Sequence, residues 1–343
     1  MQYDVIIAGA GPAGLACASV AANGGLRVLV LERKPFPGPQ VCAGGITWSG
    51  LINRIPGCLE ERRFDRQYIR TPFQQVCIAS ANPIIATVNR ENLGRYMAEK
   101  AVASGATIIS AATVTALGED RVRFRMKDSA SDETARCRFL VGADGSASLV
   151  RRFLKIPAVH LGIGIHHQIP GGRERMEWHL APALFASGYG WIFPHSQSTS
   201  VGAYACAAAL RAGELQRALR QWARGLGMNL DTAPPRAELI NFDYRGWNFG
   251  RVFLVGDAAG LASGLTGEGI FPAIVSGEAV ARYMLDPVCD LSDFNRLIHI
   301  QQRHRQIVLF ASRRRLLVPL LAETAALALR SGLMNFSAFE MSH

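Results

Sequence analysis

Hydrophobic positions fall in three patterns along this chain, and each predicts a different kind of element. The first is the continuous run. Tyr3 to Ala8 is almost wholly apolar, enters Gly9-Ala10-Gly11-Pro12-Ala13-Gly14 and leaves through a small-residue helix from Leu15; Val28-Leu29-Val30-Leu31 forms a second run that ends in Glu32-Arg33. Short continuous runs read as strands buried on both faces. Strand, glycine turn, helix, strand and acid in that order make a βαβ dinucleotide-binding unit. Gly9 permits the tight turn, and Gly11 lets the backbone approach a pyrophosphate beside Pro12 and Ala13. Gly14 allows the helix to lie close on the sheet. The phosphates would sit at the helix N-terminus, where free N–H groups favour anions. Glu32, followed by Arg33, is placed to meet a ribose diol.

The second pattern is strict alternation. Residues 113–140 alternate as a β-meander that ends in Phe139 to Gly145, and β patterning returns from 159 to 206. In Gly188-Tyr189-Gly190-Trp191-Ile192-Phe193-Pro194 the three aromatics share one face. The third pattern is helical. It covers Asn89 to Ser104, the stretch near 211–226 and residues 270–285. Between these lie a proline-rich loop, Arg33 to Ile46, the polar turn His195 to Ser200 and the Pro234-Pro235 linker. His195 is expected to be a solvated turn residue, and His166 and His167 to point to opposite faces of a strand. Residues 47–88 are weakly periodic and read as the edge of a second layer. The buried-strand pattern resumes at Arg251 to Gly260, with a turn Leu265-Thr266-Gly267-Glu268-Gly269-Ile270 opening the 270–285 helix. From 291 to 343 the chain is helical, basic and then apolar over 316–329.

Composition narrows the function classes. With 49% apolar and 19% charged residues among 343, the chain is globular. A net charge of +10 favours anionic partners. No nucleic-acid motif is present, so nucleic acid is not expected as a partner. Seven cysteines without a CxxC pair predict neither a disulfide framework nor a zinc site. The first strand begins at once, which together with the cysteines predicts a cytoplasmic setting.

Candidate chemistry gathers at the turns. Asp257 follows a buried strand and would meet a ribitol hydroxyl or a pyrophosphate water. Gly267 and Gly269 precede Ile270 at a helix start, whose N–H groups would stabilise negative charge on a reduced flavin. Cys42 lies in the loop, as a candidate proton donor or positioning group or simply as a packed thiol. Without further information the aromatic stripe would be read as core.

The GxGxxG turn, Gly142-Ala143-Asp144-Gly145 and Gly256-Asp257-Ala258 occur in the order of the aromatic-hydroxylase-like FAD superfamily. Three stretches resemble its geranylgeranyl reductase family. Pro37-Gly38 with Cys42-Ala43-Gly44-Gly45 is similar to PG…CGGG, and Tyr189-x-Trp191-x-Phe193-Pro194 with Gly202 is similar to YxWxFP…GxG. The third is Gly256-Asp257-Ala258-Ala259-Gly260 with Gly267-Glu268-Gly269. The likeness covers about residues 1–290. Tyr204 stands where the family has a second glycine, Ala43 interrupts the glycine run, and the C-terminal region is short. The resemblance leaves the FAD assignment intact and the substrate open.

The expected fold is α/β: a Rossmann-like FAD-binding domain of the aromatic-hydroxylase type, with an inserted β-sheet substrate domain and a short helical C-terminal region. Residues 1–46, 89–158 and 240–290 would form the first, 47–88 and 159–239 the second, and 291–343 the last. The resemblance implies non-covalent FAD held by Gly9, Gly11, Pro12, Ala13, Gly14, Glu32, Arg33, Arg90, Asp257, Gly267, Gly269 and Ile270. Cys42, Gly44 and Gly45 would lie at the isoalloxazine ring. Tyr189, Trp191, Phe193, Gly202 and Tyr204 would line an isoprenoid cavity. The implied reaction is reduction of isolated C=C bonds in a prenyl chain. A flavin monooxygenase or halogenase is the alternative, lowered by Tyr189 and Phe193 where halogenases have WxWxIP, and a non-catalytic flavin-binding protein is a second. The electron donor would be NAD(P)H or a ferredoxin-type carrier as redox partner, since the one fingerprint is taken by FAD. The tail, with Arg313-Arg314-Arg315 before the apolar run and Arg330 after it, suits either packing on the substrate layer or peripheral membrane contact.

Overall fold

The computed structural model describes residues 1–38, 42–50 and 52–342; positions 39–41 of the expected loop lie outside the described residues, as do 51 and 343. The strand Gln2–Ala8 sits centrally and pairs in parallel with Val28–Leu31 on one side and Glu133–Gly142 on the other. Among the described residues the sheet runs Asn248–Phe249, Val252–Leu254, Glu133–Gly142, Gln2–Ala8, Val28–Leu31, Thr107–Ile109, and the meander Ala112–Leu117 and Arg121–Met126 joins it antiparallel. The continuous apolar runs are explained by two cores. Ile6 and Leu29 feed the core on one face, and Val5, Ile7 and Val30 feed the core on the other. The helices Pro12–Asn23 and Ile270–Leu285 cover the second face, and at Gly277 a side chain would strike the backbone carbonyl of Ala13.

A second sheet carries the β segment from 159 to 206. Its order is Arg236–Asn241, Leu161–Pro170, Ser198–Cys206, Tyr189–Pro194, Met176–His179, Arg66–Arg70, Gln75–Ala79. Antiparallel register sets Trp191 opposite Gly202 and Tyr189 opposite Tyr204. One face buries Ile165, Ile192 and Val201 against Leu215, Leu219 and Trp222 of the helix Ala212–Gly225. The other face is aromatic. Residues 47–88 turn out largely strand: Arg66–Arg70 and Gln75–Ala79 extend this sheet, while Gly45–Thr47, Ile85–Val88 and Glu60–Phe64 form a small third one. The tail supplies the helices Ser292–Arg313 and Val318–Arg330. Among the described residues no helix is long and apolar enough to cross a membrane.

A buried charge cluster ties these parts together. Asp243 is fully buried just after the strand Arg236–Asn241, and its carboxylate accepts from Val159 N–H (3.0 Å) and Arg245 Nε (3.0 Å). Arg305 of the long tail helix lies 3.3 Å away and buried Arg151 3.7 Å away. Arg151 also donates to the carbonyls of Asp243, Pro157 and Ala258. Opposite charges this deep hold their places only while every partner remains. Asp243→Ala, which leaves the Arg151 guanidinium unbalanced, should lower the unfolding free energy by about 3 kcal/mol in denaturant titration.

Candidate functional site

The two large sheets face a cavity of about 590 Å³. On the dinucleotide side its wall is made by the turn after the first strand. Gly9 takes φ +102°, and a side chain there would strike the carbonyl of Ala143. Gly14 is not on the wall. It lies against the Gly9 carbonyl, where no Cβ fits, and so brings the helix N-terminus up to the turn. Gly11, Pro12 and Ala13 do line the cavity, with Glu32 and Arg33 at the end of the second strand. The Glu32 carboxylate accepts from Ala10 N–H (2.7 Å) and Lys34 N–H (2.9 Å), which fixes its direction and leaves lone pairs for a ligand.

Farther along the wall stand Arg90, at the start of a helix capped by the Asn89 side chain, and then Asp144, Ser146 and Asp257. Burial pushes the Asp257 carboxyl up to about 6, against the hydrogen bond from Ser146 Oγ (3.0 Å). Asp144 is likewise raised by burial, although its Oδ2 accepts from Leu149 N–H at 2.6 Å. Among the described residues its Oδ1 is buried without a partner, as are His166 Nε2 and Trp178 Nε1 elsewhere around the cavity. Buried polar atoms want partners. Orphaned ones around a cradle too tight for any Cβ fit a bound polar group such as a dinucleotide.

The turn Thr266-Gly267-Glu268-Gly269 closes the middle, with Ile270 opening its helix. Glu268 is half-buried, and the loss of water around its carboxyl pushes it up to about 7; Met341 N–H donates to Oε2 at 3.2 Å and Thr47 Oγ1 lies 3.4 Å from Oε1. Opposite the turn is the aromatic wall. Tyr189, Trp191 and Phe193 stand in a row with ring centroids 6.1 Å apart at each step, and Trp178 and Phe336 extend it. The Tyr189 hydroxyl donates to the carbonyl of Thr266, and Tyr204 donates to the carbonyl of Gly264 at 2.7 Å. Tyr204 therefore fills wall space and is locked there. Gly202 is placed otherwise than expected: it lies beneath the Trp191 ring, not on the cavity surface, because any side chain there would meet the indole.

Cys42, Ala43 and Gly45 line the cavity between the two walls, while Gly44 turns away at φ +80°. A Cβ on Gly44 would come within 2.5 Å of His195 Cε1 and 2.9 Å of the Val88 carbonyl. Cys42 Sγ accepts from Gly44 N–H at 3.4 Å. His195 corrects the sequence expectation. It is buried, not solvated, because the strand delivers it behind this loop. Its Nε2 lies 3.0 Å from the Ala43 carbonyl, and its Nδ1 bonds the Glu61 carboxylate. These two bonds tie the Cys42 loop to Glu61 on the small third sheet.

Among the wall residues that sequence reading did not assign are Glu268, Trp178, Phe336 and Phe339. The tail residues Phe336 and Phe339 reach the cavity through a fold-back that no local pattern announces. Glu268 stood in the quoted turn, and its acid between two glycines was the available signal.

Comparison with known proteins gives four findings. A family model described as the Thi4 family matches residues 1–114. The chain is 30% identical over 290 residues to an uncharacterized protein of Methanosarcina barkeri, covering 82% of this chain and 74% of that one. It is 28% identical over 295 residues to a geranylgeranyl diphosphate reductase of Rhodobacter capsulatus, with the same coverages of 82% and 74%. Among solved structures, it resembles that of a geranylgeranyl bacteriochlorophyll reductase-like protein from Thermoplasma acidophilum with a TM-score of 0.75 and 21% identity, covering 95% and 88% of the two chains.

If His195 anchors the loop, His195→Ala should speed alkylation of Cys42 by about fivefold, since a hydrogen bond contributes about 1 kcal/mol. Peptide mapping by mass spectrometry separates Cys42 from the other cysteines. An unchanged rate would mean that the loop holds itself.

Proposed function

Since the chain belongs to the geranylgeranyl reductase family of FAD-dependent oxidoreductases, we propose that it saturates isolated double bonds of a prenyl chain. FAD, which the glycine turn, Glu32, Arg33, Arg90, Asp257, Gly267, Gly269 and Ile270 would hold, would supply a hydride when reduced. One observation carries the reading. The aromatic row Tyr189-Trp191-Phe193 and the Cys42–Gly45 loop share a single cavity with the dinucleotide turns. A prenyl chain needs an apolar trough, and aromatic rings give large contact area with few rotors. In this reading the first sheet holds the cofactor, the second holds the substrate, and the loop meets the flavin ring. Tyr204, locked on Gly264, shortens or bends the trough relative to a glycine. His166, pushed down to about 4 by burial, stays neutral at the wall and adds no charge to an apolar ligand.

Electrons come from NAD(P)H binding transiently or from a ferredoxin-type carrier, as the sequence has one dinucleotide fingerprint. The test of the activity is anaerobic. Fully reduced enzyme mixed with a geranylgeranyl lipid should recover its oxidised absorbance as the lipid gains hydrogen. Silence toward the lipid, with a C4a-oxygen adduct on admitting O2, would favour a monooxygenase.

The tail supports contact with a bilayer surface. The helix Val318–Arg330 buries Val318, Ala322, Ala326 and Leu329 and exposes Leu320, Leu321 and Leu327. Exposed Leu316, Leu333 and Phe73 add to that face. Glu323 does not interrupt it, because its carboxylate is turned onto the 71–74 turn, accepting from Thr71 Oγ1 and Gln74 Nε2 at 2.8 Å. Arg313, Arg314, Arg315 and Arg330 flank the leucines as anionic headgroups require. Leu316→Glu with Leu320→Glu should abolish co-sedimentation with vesicles containing anionic lipid. Equal sedimentation of the variant would leave the tail a packing element.

A further inference from the structure

Adding hydrogen across an unactivated alkene takes a proton as well as a hydride, and the proton donor must sit inside a cavity that excludes water. Cys42 is a poor fit for that task. Its sulfur accepts from the Gly44 N–H at 3.4 Å, which ties the thiol back onto its own loop. His166 is at the wall without a proton to spare at neutral pH. Asp257 is directed at Ser146, on the dinucleotide side of the cavity.

Glu268 is differently placed. It lies in the turn that begins the Ile270 helix, between the cofactor wall and the aromatic wall, and lines the cavity itself. Two separate elements fix it: Thr47 comes from the strand that continues the Cys42 loop, and Met341 N–H comes from the tail. Tyr189 of the aromatic row lies near enough to feel its charge. No cation faces it. Glu340, from the tail, is a like charge, and the buried surroundings and that charge both favour the protonated acid. Among the described residues Ser49 Oγ, 2.5 Å from Glu340 Oε2, holds the second carboxylate in position.

We propose that Glu268 is the catalytic acid that delivers the proton to the prenyl double bond. This rests on the reductase reading above. The O–H bond of the Glu268 carboxyl breaks, and its proton bonds to one alkene carbon. The neighbouring carbon takes the hydride that reduced FAD supplies. The π bond is consumed and two C–H bonds form, so the alkene is reduced by two electrons and the cofactor is oxidised. The Glu268 carboxylate then regains a proton from water. The Thr47 hydroxyl and the Met341 N–H hold the carboxylate oxygens through the cycle, and Cys42 is left to position the ring and the chain.

The test compares wild type with Glu268→Gln, whose amide oxygen still accepts from Met341 N–H. Both are loaded with FAD, reduced anaerobically and mixed with a geranylgeranyl lipid across pH 5.5 to about 8.5, a window set around the value near 7. Wild type should slow as pH rises through about 7, since the acid form is the competent one. Glu268→Gln should be about 100-fold slower or worse and should lose that inflection, with FAD affinity unchanged. Infrared difference spectra of the oxidised holoenzymes add a readout free of turnover. A protonated-carboxyl band that titrates near pH 7 in wild type should be missing from the variant. Should Glu268→Gln fail to fold or load FAD, Glu268→Asp keeps the acid and should retain both the inflection and part of the rate. A Glu268→Gln enzyme with the wild-type rate, or with the wild-type inflection in a reduced rate, would overturn the assignment alone. Wild type that no prenyl lipid reoxidises would overturn the reductase reading and the assignment with it.

Discussion

The architecture depends on a close approach of backbone to backbone at the first turn. With no side chain at 9 or 14, the Pro12–Asn23 helix begins against the carbonyl of Gly9, and the turn presses on Ala143 at the end of the neighbouring strand. That contact brings two strand ends, a helix N-terminus and the Asp144 turn to one edge of the sheet. Everything that faces a dinucleotide is set by it. A methyl group at either glycine would separate the helix from the sheet and spoil the anion site that the free N–H groups make.

The second constraint is the meeting of this edge with the aromatic face of the other sheet. The two are joined by buried polar bonds, not by apolar packing alone. Tyr189 and Tyr204 bond the carbonyls of the 264–266 turn, His195 bonds the Cys42 loop, and Asp243 gathers arginines from three elements. Each of these bonds is costly to leave unmade, which gives the cavity a fixed shape. A fixed, largely apolar cavity is what a reaction needing one alkene carbon to face one flavin atom demands.

Much of this was legible in the chain. The βαβ unit was readable because its physical requirements are local: glycines where the backbone must crowd, apolar runs where strands are buried twice. The aromatic row was readable because period two fixes its face, although alternation alone reads as core, and only the resemblance suggested a cavity. His195 was misjudged because its neighbours in sequence are polar, while its partners Glu61 and Ala43 lie 134 and 152 positions away. Glu268 and Asp243 were passed over for the same reason. Their chemistry comes from burial and from groups on distant elements. Gly202 was read as cavity lining on resemblance, and the register opposite Trp191 puts it under the indole instead.

If one cavity brings a prenyl chain against the flavin, oxidised holoenzyme titrated with a fully saturated lipid, which cannot react, should show a saturable shift of the flavin bands. The shift should saturate at one lipid per flavin and be lost when Trp191 is replaced by a charged residue. Lipid binding that leaves the flavin spectrum untouched would contradict that contact.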